Sequence, residues 1–175
     1  MTNNHYTMKA IKTWYNPTTK TVSDKRIDKN CIRFDSKGEF NLYKELEDVC
    51  QSFNISIYKD CKLTVGDTNW LVDFKLVFPI ELNHVLINLV KKLHNKDIDN
   101  YLPVLYIEYK GVLTSDTETK LKSLSDTVYN NTLIMVSNKP MAFMIENTRC
   151  LTYICKPIFS HRFFMLSFVK ELLRG

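Results

Sequence analysis

The stretch Leu102-Pro103-Val104-Leu105-Tyr106-Ile107-Glu108-Tyr109-Lys110-Gly111 decides the reading of this chain. It is apolar until its last residues and then presents a carboxylate and an amine two positions apart. A strand repeats its faces every two residues, so Glu108 and Lys110 share one face while Ile107 and Tyr109 share the other. An acid placed at the end of so apolar a strand is costly as packing and useful as chemistry. The pattern points to a metal ligand beside a group that activates water.

A second strand lies upstream, Trp70-Leu71-Val72-Asp73-Phe74-Lys75-Leu76-Val77-Phe78. Trp70, Val72, Phe74 and Leu76 occupy one face, and Asp73 sits mid-strand on the other, where it needs a compensating cation. Two strand carboxylates with a lysine two residues after the second are what a magnesium-dependent phosphodiesterase requires. Hard oxygen ligands suit Mg²⁺, and an adjacent amine orients or deprotonates the attacking water.

A third element precedes both: Arg33-Phe34-Asp35-Ser36-Lys37-Gly38-Glu39-Phe40. The order of these three pieces resembles the PD-(D/E)XK nuclease superfamily, in particular small phage-encoded endonucleases with a restriction-endonuclease-like core. The resemblance spans roughly residues 25 to 137, and the ordered combination is more specific than any one motif. It implies an α/β fold with a mixed central sheet flanked by helices, and Glu39, Asp73, Glu108 and Lys110 as the active-site positions. It also implies Mg²⁺, with Mn²⁺ as a substitute, held by Asp73, Glu108, the Tyr109 carbonyl and Glu39. One departure is plain. Asp73 and Glu108 are 35 positions apart, because residues 80 to 96 insert a helix patterned on Leu82, Leu86, Leu89 and Leu93. The insertion leaves the register of Asp73 against Glu108 open.

Each of these residues also has a structural reading. Glu-x-Lys at a strand end occurs on solvated surfaces, and Ser36-Lys37-Gly38-Glu39 has the form of a capping box, with Ser36 capping the helix and Glu39 reaching back to its first amide. Against that, Glu39, Tyr43, Leu46, Cys50 and Phe53 follow helical spacing on one face, which places Glu39 on the side the helix buries.

The 175 residues, 45% of them hydrophobic, are enough for one domain with a real core. No run is long enough for a membrane span, and the opening Met1-Thr2-Asn3-Asn4-His5-Tyr6 lacks the regions of a signal peptide, so the expected location is the cytoplasm, a host's if the protein is viral, or a virion. Five cysteines, with no Cys-x-x-Cys pair, point to reduced thiols. The four histidines share no zinc spacing with them.

The net charge of +5 is unevenly placed. Residues 1 to 34 carry seven Lys and Arg against two Asp, and the rest of the chain is balanced. This segment is read as a basic N-terminal arm, extended or partly ordered, followed by a single nuclease-like domain from 35 to 175. Lys9, Lys12, Lys25, Arg26, Lys29 and Arg33 are candidate phosphate contacts, with Tyr6, Trp14 and Tyr15 available for stacking; the plainer reading is a solvated tail. Lys120, on a helix expected after Ser115, is a further candidate and equally a solvated helix face.

The remaining pattern predicts a helix over 36–53, strands over 55–65 and 69–78, a buried strand over 132–137, and another near Cys150 to Cys155. A C-terminal helix over 160–173 is apolar on more than one face and must be buried in the domain or against a partner, a second copy or another phage protein. The richness in Asn, Lys and Ile suits an AT-rich genome such as a phage's. The leading expectation is a DNA endonuclease for phage DNA processing or junction resolution. The alternative is a non-catalytic structural or head-completion protein that keeps the fold and binds DNA ends. An ordinary doubly wound α/β domain ranks last, because no Gly-rich phosphate loop is present.

Overall fold

The computed structural model describes residues 12–65, 67–95, 97, 102–111, 119–120, 123, 132–137 and 158–175. Lys9, most of the helix expected after Ser115, and the strand expected near Cys150 lie outside them. The chain divides, within its first helix, into two compact units, Met1–Tyr43 and Lys44–Gly175.

In the first unit the segment read as an extended arm carries a sheet. Strands β1 (Thr13–Asn16), β2 (Thr21–Ser23) and β3 (Ile32–Phe34) pair antiparallel in the order β2-β1-β3. Polar composition hid them, because only one side chain in two needs a core. Tyr15 and Phe34 supply it, in ring contact with Phe40 and Tyr43. The turn at Asn16-Pro17 is closed by the Asn16 side chain, whose Oδ1 accepts the amides of Thr18 and Thr19 at 2.9 and 3.1 Å.

Helix α1 (Lys37–Ser52) starts where the capping motif predicts. Ser36 Oγ accepts the Glu39 amide at 3.1 Å, and Glu39 Oε2 accepts an amide in return, that of Asp35 at 2.9 Å rather than that of Ser36. The helix ends on left-handed Asn54, with the Ile55 amide donating back to the Cys50 carbonyl at 2.9 Å, a Schellman closure.

The second unit is built on a five-stranded mixed sheet in the order β4-β5-β6-β7-β8. β4 (Ser56–Val65) and β5 (Thr68–Val77) form a long antiparallel hairpin, and β6 (Val104–Tyr109) pairs antiparallel with β5. β7 (Leu133–Ser137) and β8 (Ile158–Ser160) follow in parallel. β6 from Val104 to Glu108, and all of β7, are buried, which is why both read as continuous apolar runs rather than alternating ones. β8 is three residues long and was not expected; Ser160 leaves it directly into the last helix, accepting the Phe163 amide as its N-cap.

The inserted segment is a 3₁₀ turn (Ile80–Leu82) followed by α2 (Asn83–His94). Its leucine stripe buries Leu86, Leu89 and Leu93 together with Val85 and Val90. α2 packs on α3 (His161–Leu172), where Lys92 Nζ meets Glu171 at 2.9 Å. That hydrogen bond, against the cost of burial and with Arg174 adding its charge, holds the Glu171 carboxyl below its usual range. Phe164, Met165, Phe168 and Leu172 fill one face of α3, while Phe163, Leu166 and Leu173 are exposed on another, so the helix is apolar on two faces and buried by this chain on one. No helix among the described residues is long and apolar enough to cross a membrane.

Candidate active site

The register of β5 on β6 runs Val77↔Val104, Leu76↔Leu105, Lys75↔Tyr106 and Phe74↔Ile107. One step further it sets Asp73 against Glu108. The inserted helix therefore does not disturb the pairing: all of its length is spent beyond the Val77/Val104 end of the ladder, away from the two acids. At the Asp73/Glu108 level side chains take over from main-chain carbonyls. The Asp73 amide donates to Glu108 Oε2 at 3.2 Å, and the Tyr109 amide donates to Asp73 Oδ2 at 2.7 Å. The two carboxylates thus satisfy donors that the strand ladder would otherwise leave unmade.

Lys110 is the third member. Its ammonium lies 2.5 Å from Glu108 Oε1. Its backbone is fixed by β7, the amide donating to the Val136 carbonyl at 2.8 Å and the carbonyl accepting Ser137 Oγ at 2.6 Å. Glu108 is only 2% exposed. Burial pushes its carboxyl up from the ordinary carboxylate range, and the Lys110 charge, the Asp73 amide and the nearby Trp70 indole offset this only in part. A buried acid so held is sensitive to any added cation.

A third acid stands opposite Asp73 on the other side. In the hairpin register Lys59↔Phe74 and Cys61↔Val72 bracket Asp60 and Asp73. A carboxylate oxygen of each lies within 4.8 Å of the other. Asp60 adopts φ 54° in the middle of a ten-residue strand, a left-handed conformation an aspartate tolerates better than most residues but still at a cost. Its ion pair with Lys59, at 2.6 Å, is half exposed and worth little. Sequence reasoning passed over Asp60. The signal was its distance from the turn: Asp60 and Asp73 are equally far from residues 66–67.

Asp60 and Asp73 bring hard carboxylate oxygens together, a donor type that suits Mg²⁺, Mn²⁺ or Ca²⁺, while the Glu108 oxygens beside them are engaged by the Asp73 amide and the Lys110 ammonium. Two oxygens on one Mg²⁺ are at most about 4.2 Å apart, so the Asp60 and Asp73 spacing is within reach of side-chain adjustment. Comparison with family models, curated proteins and solved structures gives no match. The functional reading rests on this geometry and on the motif order in the sequence.

Of the remaining expected site residues, Glu39 is buried in the first unit and engaged in the capping arrangement given above. Lys12, Lys25, Arg26 and Lys29 are exposed there, and Arg33 is exposed but paired with Asp35. Lys120 is half-buried. Among the described residues Cys31, Cys50 and Cys61 are free thiols; burial raises the thiol of Cys50 to about 12 and that of Cys61 less strongly, which argues against nucleophilic roles.

Proposed function

We propose that the protein is a Mg²⁺-dependent DNA endonuclease with a restriction-endonuclease-like core. The observation that carries the reading is the pairing of Asp73 with Glu108 across two strands, 35 residues apart in the chain, with the Lys110 ammonium against Glu108. The order helix, hairpin carrying the Asp, strand carrying Glu-x-Lys, then a parallel strand is compatible with the superfamily that the sequence resembles.

Asp73 and Glu108 would hold the ion, with the Tyr109 carbonyl and Glu39 added on the strength of the resemblance. When bound, Mg²⁺ draws charge from the scissile phosphate and lowers the pKa of its water. The protein's own groups do the rest. Glu108, kept in place by the Asp73 amide and Lys110, orients what binds beside it. Lys110 offers a positive charge to the attacking water or to the negative charge developing on the phosphoryl oxygens. The cationic surface of the first unit raises the local concentration of polyanion.

The test is cleavage of linear, nicked and four-way DNA with Mg²⁺, Mn²⁺ or EDTA, by wild type and by Asp73→Asn. Metal-dependent cleavage lost in Asp73→Asn, with the variant still folded, supports the proposal. Tight DNA binding by wild type with no turnover on any substrate would replace it with the non-catalytic DNA-end role.

A further inference from the structure

The first unit carries more than its charge. Trp14 lies directly across from Ser23 on one side and Arg33 on the other, so these three share a face of the small sheet. Tyr15 points the opposite way, into the ring cluster with Phe40 and Tyr43, and is buried, so it is not available to a ligand. Trp14 is neither buried nor fully exposed.

Arg26 completes this face. Its guanidinium carbon sits 5.9 Å from the centroid of the Trp14 ring. Nε donates to the Asp28 carbonyl at 3.1 Å and a terminal nitrogen to the Lys29 carbonyl at 3.3 Å. Carbonyls fix the cation without neutralising it. No carboxylate among the described residues pairs with it directly, and the oxygens of Asp28 are turned to neutral donors: Oδ2 accepts from Asn16 Nδ2 at 2.6 Å and Oδ1 from the Asn30 amide at 2.7 Å. Asn16, buried at the end of β1, thereby ties the turn after β1 to the loop that presents Arg26. A surface arginine ordinarily keeps its rotamer freedom, and ordering it without a counter-charge prepares it for an anion.

We infer that Trp14 and Arg26 form a platform for single-stranded nucleic acid, one unpaired base stacking at Trp14 while Arg26 and neighbouring Lys25 and Lys29 meet its phosphates; Arg33, on the same face, is already paired with Asp35. Charge complementarity favours a polyanion: residues 12 to 35 hold six basic side chains against three acidic ones. The aromatic ring and the guanidinium plane favour an unstacked base, because a duplex buries the π-faces of its bases in its own stack. The inference rests on the reading that this protein acts on DNA, and it deepens that reading by naming unpaired DNA as the form engaged.

The test uses the full chain in EDTA, with oligo-dT and the oligo-dT·oligo-dA duplex as probes. The chain has two tryptophans and Trp70 is buried, so emission that changes on binding reports Trp14. Oligo-dT should quench the emission and bind more tightly than the duplex. Trp14→Leu should bind oligo-dT about 10-fold more weakly, while Trp14→Phe, which keeps a ring, should recover most of the affinity. Should Trp14→Leu fail to fold, Arg26→Gln leaves the ring in place and should still weaken binding severalfold. Duplex bound as tightly as single strand, or oligo-dT affinity unchanged in Trp14→Leu or in Arg26→Gln, overturns the platform. Separation from the nuclease reading is direct. Metal-dependent cleavage with Trp14 emission unmoved removes the platform alone, whereas Trp14 quenching with no cleavage supports the platform and removes the nuclease.

Discussion

Glu108 is a buried acid whose carboxyl is raised by burial, and its effect on stability has a definite sign. A raised folded-state pKa means the native state binds the proton more readily than the unfolded chain. The stabilisation is therefore complete below the ordinary carboxylate range and is lost as pH rises through the raised value. Without metal, wild type should melt at progressively lower temperature over that interval, and Glu108→Gln should flatten the slope; an identical slope in the variant would show that Glu108 is already neutralised by Lys110. Asp60 offers a second test. Removing its charge from opposite Asp73, and relieving its left-handed backbone, should stabilise the metal-free protein: Asp60→Gly by roughly 1 kcal/mol in chemical denaturation. Glu39→Gln separates capping from chemistry, since glutamine serves in a capping box about as well as glutamate. The melting temperature should hold while turnover falls by roughly 10-fold or more, the range seen when a group supporting a metal's ligands is removed. A fully active Glu39→Gln enzyme would return Glu39 to a structural role.

Among the elements, α2 shows how an insertion is accommodated. Pro79 ends β5 and the segment returns to β6 at Val104, so the antiparallel register is set as it would be by a short turn. The helix must then bury its own apolar stripe, and α3 provides the surface. Phe168 of α3 is fully buried, in ring contact with Phe78 and Phe164. Phe168→Ala should cost about 3 to 5 kcal/mol in equilibrium unfolding, the range for a large side chain removed from a closed core. Helix and strand boundaries of α1, α2, β4, β5, β6 and β7 were legible because the hydrophobic period and the capping and turn residues agree. β1 to β3 and β8 were not, because strands of three or four residues give too few repeats for a period to emerge.

At the scale of the whole molecule, charge and chemistry are segregated along the chain: the excess positive charge falls before residue 35, and the paired acids fall after it. Replacing Lys12, Lys25 and Lys29 with Gln should therefore reduce DNA affinity and shallow its dependence on salt, by roughly 0.7 to 0.9 in log K per log salt for each phosphate the protein no longer neutralises. Cleavage at saturating DNA should be little changed. An unaltered slope would mark these lysines as a solvated surface. Truncating residues 1 to 30 is a poorer experiment, since it deletes β1 and β2, leaves β3 without its pairing strand and removes Tyr15 from the ring cluster with Phe40 and Tyr43. The sequence by itself determined the charge asymmetry, the long elements and three of the acids and bases of the candidate site, because composition and period are local properties of the chain. Only the tertiary structure decided that Asp73 meets Glu108 and that Trp14 faces outward while Tyr15 does not. Register across strands, and which side of a short strand finds a core, are fixed by partners distant in sequence, and no window along the chain contains both members of such a pair.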